Sequence, residues 1–188
     1  DAARAAVGQA REVDLQGRTM LPGFIDSWGH FTLFAQQTLG VNLAYFADKP
    51  PASKADAIAL LKATAPFNGW IIGYGYIASM LADGPLTLAD LDAAFPETPV
   101  MIATLSTLTG QVNSAGIAKL GLTPDSKAVQ PGEIGKDPQT GKLTGELAFS
   151  PFLAARVQAV GSYSQAQTFK TFRAAEALLA AQGFTTVQ

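Results

Sequence analysis

The chain has 188 residues, 48% of them hydrophobic and 15% charged, with a formal net charge of −2 at pH 7. That is enough apolar material for one substantial core. The absence of cysteine excludes disulfide frameworks, thiolate metal sites and cysteine nucleophiles, and the lack of any Lys/Arg cluster excludes the electrostatic footprint of a nucleic-acid binder.

From the N-terminus, the chain opens on Asp1-Ala2-Ala3-Arg4, without an initiating Met and without a signal-peptide pattern. No apolar run reaches the 18 residues of a membrane span, so no membrane partner is expected, and the lack of cysteine fits a cytoplasmic protein. Val13 and Leu15 alternate with polar neighbours, as in a half-buried strand, and Gln16-Gly17 and Pro22-Gly23 mark turns. Phe24-Ile25 predicts a short buried strand ending near Asp26.

Ser53, with Asp56 three residues on, is a helix start. Ile58, Leu61 and Ala65 follow at helical spacing, and Pro66 ends that helix. Trp70 to Gly75 reads as a buried strand. Thr87 and Asp90 form a second capping box, opening a short helix through Asp92 and Ala94, and Pro99 to Thr104 is a second apolar strand. Residues 123–146 are rich in Gly, Pro, Asp and Lys and read as a loop, or as a hairpin around Gln139-Thr140-Gly141-Lys142. A third capping box, Ser164 and Gln167, starts a helix to about Gln182, with Phe169, Phe172, Ala175 and Leu179 as its apolar face and Gly183 as its C-cap. Phe184 to Val187 is a final strand. The alternation of strands and helices predicts an α/β protein with parallel elements.

The stretch Val13-Asp14-Leu15-Gln16-Gly17-Arg18-Thr19-Met20-Leu21-Pro22-Gly23-Phe24-Ile25-Asp26-Ser27-Trp28-Gly29-His30-Phe31 resembles the entry to the catalytic barrel of amidohydrolases, which commonly reads Leu-Pro-Gly-Phe-Ile-Asp-x-His-x-His. Further matches follow in the expected order at Gly69 to Tyr76, Leu86 to Asp92, Pro99-Val100, Val112-Asn113-Ser114, Asp137 to Gly145 and Gly183 to Val187. Each is weak alone. Together they resemble the amidohydrolase 3 branch of the superfamily, metal-dependent hydrolases with a TIM-barrel fold. The resemblance implies a fragment of such a protein. Residues 1–21 would be a β-sandwich remnant, 22–39 the first strand of a (β/α)8 barrel with its following segment, 40–160 an α/β insertion lobe, and 161–188 a barrel helix and the second strand.

The same resemblance implies a divalent metal, zinc in the first instance, and a small-molecule substrate with a non-peptide amide or formamide-like carbon–nitrogen bond. In the family, two His one residue apart point the same way from a strand and hold the metal at the barrel mouth. Here Trp28 stands at the first of these positions, and an indole has no lone pair to give a metal. His30 matches the second and is the metal-ligand candidate, against the plainer reading of a structural or merely exposed histidine. Trp28 reads either as an aromatic packing at a strand end or as a block on the site. Asp26 either orients a ligand or caps a turn. Asn113 and Ser114 are candidates to line a substrate site, against the plainer reading of a helix N-cap. Leu108 and Ile77 stand where family members often carry His and Asp. No catalytic residue is assignable, so the chain alone is expected to be inactive. The alternative is a degenerate, non-catalytic binding or structural domain. Exposed sheet edges at residues 22–30 and 184–188 would favour a homo-oligomer.

Overall fold

The computed structural model describes all residues except Asp1, Gly8, Ala10, Glu12, Phe46 and Ser162. Its elements run α1 (Ala2–Val7), β1 (Phe24–Asp26), α2 (Phe31–Gln37), β2 (Val41–Asn42), α3 (Lys54–Lys62), β3 (Ile71–Tyr76), a 3-10 turn at Ala78–Met80, α4 (Leu88–Ala94), β4 (Val100–Thr104), β5 (Thr109–Val112), α5 (Ser114–Lys119), β6 (Gly132–Lys136), β7 (Leu143–Phe149), α6 (Ser150–Val160), α7 (Gln165–Ala181) and β8 (Phe184–Val187). No described helix is long and apolar enough to cross a membrane.

Six strands form one mixed sheet in the order β2-β3-β4-β5-β7-β6. β2, β3 and β4 are parallel, and β5, β7 and β6 add in antiparallel fashion. Because side chains alternate along a strand, each strand feeds two cores. On the front face, Ile71, Val100 and Ile102 pack with Ala57 and Leu61 of α3 and with Leu91 of α4. On the back face, Ile72, Met101, Ala103, Val112 and Leu147 pack with Phe152, Ala155 and Ala159 of α6. One register irregularity matters. β3 and β4 slip between Gly73 and Tyr76, and Gly75 takes a φ of 75° there. The slip turns Tyr76 to the front with Ile71, where its hydroxyl accepts a bond from the Leu86 amide at 2.8 Å.

The three capping boxes form as the residue spacing predicts, at Ser53/Asp56, Thr87/Asp90 and Ser164/Gln167. Gly183 follows α7 at a φ of 88°, a conformation natural to glycine. α3 stops at Lys62, short of Ala65 and Pro66, with Ala63 still in the helical region.

Three expectations change, and for residues 123–146 the hairpin alternative holds. Val13 and Leu15 belong to no strand and are exposed, and among the described residues no strand lies against them; the neighbouring Glu12 lies outside the described residues. The 123–146 segment contains a hairpin, β6 and β7, closed by Asp137, whose carboxylate accepts from the amides of Gln139 and Thr140. α7 buries Thr171 and Ala175, while Phe169 is exposed; Phe172 meets the ring of Phe31 edge-on at 5.1 Å. The Phe24-Ile25 strand exists but is not buried. β1 and β8 form a separate two-stranded parallel sheet with both side chains largely exposed.

Candidate active site

β1 and β8 are paired with Phe24 beside Phe184, Ile25 beside Thr186 and Asp26 beside Val187, so both strands end on the same side. Three residues gather at that end. Asp26 closes a tight turn, its Oδ1 accepting from the Trp28 amide at 3.0 Å. Its other oxygen lies so near Gly29 that a Cβ there would fall 2.6 Å from it, and a larger residue would have to displace this carboxylate. His30 occupies the N-cap position of α2 without a side-chain capping bond, and it is exposed. The Phe31 amide donates to the Gln188 carbonyl at 3.0 Å, fastening the start of α2 to the end of β8.

This arrangement does not by itself fit a metal. One imidazole and one carboxylate are present, and one of the carboxylate oxygens is occupied by the Trp28 amide. The Trp28 side chain is 86% exposed and offers no lone pair. Among the described residues no group of three or more His, Cys, Asp or Glu side chains is placed to hold an ion.

Asn113 and Ser114 lie elsewhere, at the start of α5. Asn113 is fully buried and uses every hydrogen-bonding position it has. Its Oδ1 accepts from the amides of Val100 and Gly116 at 2.8 and 2.9 Å, and its Nδ2 donates to the carbonyls of Phe95 and Thr98 at 2.8 and 2.9 Å. The side chain ties α4, β4 and α5 together, and no polar atom is left over for a substrate. The N-cap reading describes it; the substrate-lining expectation does not. Ser114 is exposed but spoken for: its amide and hydroxyl both donate to Asp92, at 2.8 and 2.7 Å. The pair therefore joins α4 to α5.

On the front of the six-stranded sheet lies an open cleft of about 270 Å³. Alternation presents Thr109 and Gln111 of β5, Glu146 of β7 and Glu133 of β6 to it. None of the four expected site residues lines it. A second, narrower opening on the back face lies between α2 and the sheet and contains Arg156. Sequence reading passes over that arginine. The available signal is a lone charge within the apolar run Pro151 to Val160 of α6.

Residues 11–188 match the Amidohydrolase family. The chain is 31% identical over 140 residues to YtcJ of Bacillus subtilis (strain 168), an amidohydrolase by its name, covering 74% of this chain and 26% of that protein. It is 29% identical over 149 residues to the N-substituted formamide deformylase of Arthrobacter pascens, covering 76% of this chain and 26% of that protein. Among solved structures it is similar to an uncharacterized metal-dependent hydrolase from Pyrococcus furiosus, with 20% identity, a TM-score of 0.56 and coverage of 88% of this chain and 31% of that one. Another, from Pyrococcus horikoshii OT3, matches at 22% identity with the same TM-score and covers 88% and 30% of the two chains. The chain thus spans about a quarter of the length of these curated relatives. With a match from residue 11 to residue 188, and with motifs that lie on the strands and caps described above, this chain belongs to the amidohydrolase family.

Proposed function

We propose that these 188 residues are the N-terminal part of a metal-dependent hydrolase that cleaves carbon–nitrogen bonds in small molecules, amides or N-substituted formamides, and that the chain alone does not turn over substrate. The observation that carries the reading is the position of His30. It sits just beyond the paired C-terminal ends of two parallel strands, where barrel enzymes build their sites, in a chain whose family match runs nearly end to end. In this reading β1 and β8 are the first two barrel strands, residues 40–160 are an inserted lobe, and residues 1–21 belong to a β-sandwich. His30 is one ligand of a divalent ion, zinc in the first instance, whose other ligands lie outside residues 1–188. Asp26 holds the turn that presents it. The bare edges of β1 and β8 are covered by further strands or by a second copy of the chain.

Trp28 favours a second reading, a relative that has given up its metal and retains a binding or structural role. The test is direct. The 188-residue chain, incubated with zinc and N-benzylformamide, is expected to release no formate above the rate with zinc alone. Formate release that disappears in His30→Ala would overturn the partial-enzyme reading. Zinc binding by the parent polypeptide, lost in His30→Ala, separates the hydrolase from the degenerate relative, which would bind none.

A further inference from the structure

We propose that Asn68 is a site of self-modification, where the amide nitrogen of Gly69 closes on the side chain and converts it, through a cyclic imide, to aspartate or isoaspartate. The chain has three asparagines, Asn42, Asn68 and Asn113. The reaction needs the backbone nitrogen of the next residue as its nucleophile. After Asn42 that nitrogen is bound: the Leu43 amide donates to the Tyr74 carbonyl at 2.8 Å, and Leu43 is buried. After Asn113 it is bound as well, since the Ser114 amide donates to Asp92 at 2.8 Å, and Asn113 is itself fully buried. Asn68 and Gly69 are both exposed, and among the described residues no acceptor takes the Gly69 amide. Glycine also has no side chain to shield its nitrogen.

The step balances with water as its only co-reactant. The Gly69 nitrogen bonds to Asn68 Cγ, the Cγ–Nδ2 bond breaks, and Nδ2 leaves as ammonia with the proton that Gly69 gives up. Water then opens the ring at one of its two carbonyls. Opening on one side restores the ordinary backbone with aspartate at position 68. Opening on the other leaves the chain running through the former side chain, as isoaspartate. Either way a neutral carboxamide becomes a carboxylate.

The fold gates this step. Phe67 and Trp70 exchange both backbone bonds at 2.8 Å, with Asn68 at a φ of 49° and Gly69 at 73°, so the two form a tight turn with both central residues left-handed. Ring closure needs the Asn68 backbone twisted away from that conformation, and the turn must open first. The carboxamide must also release α6, because its Nδ2 donates to the Val160 carbonyl. A Cβ on Gly161 would fall 2.8 Å from that nitrogen, so the end of α6 is fitted around the carboxamide. The product loses this tie. A carboxylate has no proton to give Val160, and the cation beside it is Lys119, whose Nζ lies 3.4 Å from the Asn68 carbonyl oxygen.

The test holds the folded chain, and the same chain unfolded in urea, at mildly alkaline pH and digests samples of each with trypsin at intervals. Fragment mass spectra of the peptides read conversion at each asparagine. Conversion is expected at Asn68 alone in the folded chain, and at least about tenfold faster at that position in urea, as for a step that waits on local opening. Conversion at Asn42 or Asn113 before Asn68, no conversion at Asn68, or equal rates with and without urea would each overturn the proposal. Asn68→Asp, which places one product in the chain directly, should unfold at a lower urea concentration than the parent. Unchanged resistance to urea would overturn the tie between the turn and α6. If that variant does not fold, the two rates on the unaltered chain still decide.

Discussion

β4 and β1 are both short apolar strands with a parallel neighbour, yet they live in opposite environments. In β4, Val100, Met101 and Ile102 are each no more than 1% exposed. In β1, Phe24 and Ile25 are 53% and 71% exposed. Composition does not separate them. β4 has a strand on each side, α3 and α4 over one face and α5 and α6 over the other. β1 has β8 on one side and no strand on the other among the described residues. Burial belongs to the elements that cover a strand more than to the strand itself, and the Leu21-to-Asp26 motif falls on the uncovered one.

Four measurements break or sharpen this contrast. The largest effect is expected from Asn113→Ala, which strands two amides and two carbonyls in the interior. At about 1–3 kcal/mol for each unpaired buried group, partly relieved by relaxation, urea unfolding should register a loss of roughly 4 kcal/mol. A near-neutral result would mean that the side chain is not the tie between α4, β4 and α5.

Next comes one truncation made in both sheets. Ile102→Ala should cost about 3 kcal/mol, as for a buried aliphatic side chain, while Ile25→Ala should stay within about 0.5 kcal/mol, as for a surface change. Equal costs would show that β1 is covered in solution, by a second copy or by another part of the chain. Amide exchange reads the same difference without mutation. The Thr186 and Val187 amides of β8 should exchange at least ~30-fold faster than those of Met101 and Ile102, a difference of roughly 2 kcal/mol in opening free energy. Equal protection would mean that β1 and β8 open only with the whole molecule.

The smallest effect is electrostatic. Lys54 Nζ lies 2.9 Å from Asp90 Oδ2, and bonds from Lys54 and Thr87 lower the Asp90 pKa from 3.8 to about 2. A depressed carboxylate pKa stabilises the fold above the unfolded value, and that contribution is lost as pH falls from 3.8 through about 2. The pair is partly exposed, so Asp90→Asn should cost less than about 1 kcal/mol at pH 7, shrinking toward zero near pH 2. A cost independent of pH would assign the effect to the Thr87 cap and not to the charge.

Some of this protein was legible from residue order alone. The capping boxes at Ser53, Thr87 and Ser164 were readable because a cap is a local device, a side-chain oxygen and a backbone amide three residues apart. β3, β4 and the parallel pair β1/β8 were readable as apolar runs or through the family motif. β5 and α6 were not, because Thr109 to Val112 is polar on the face it turns to the front cleft, and α6, from Ser150, carries no strong amphipathic stripe; α2 was not read either. The role of Asn113 shows the limit most plainly. Its position before a helix signalled a cap, but three of its four partners, Val100, Phe95 and Thr98, are 13 to 18 residues away in the chain. Only the fold brings their backbone groups to one side chain. Trp28 in place of a metal-binding histidine was decided by the sequence, since an indole cannot ligate in any fold. That Arg156 lies half-buried with one long hydrogen bond was decided by tertiary structure, because whether a charge has a partner depends on what packs around it, and sequence order does not say what that will be.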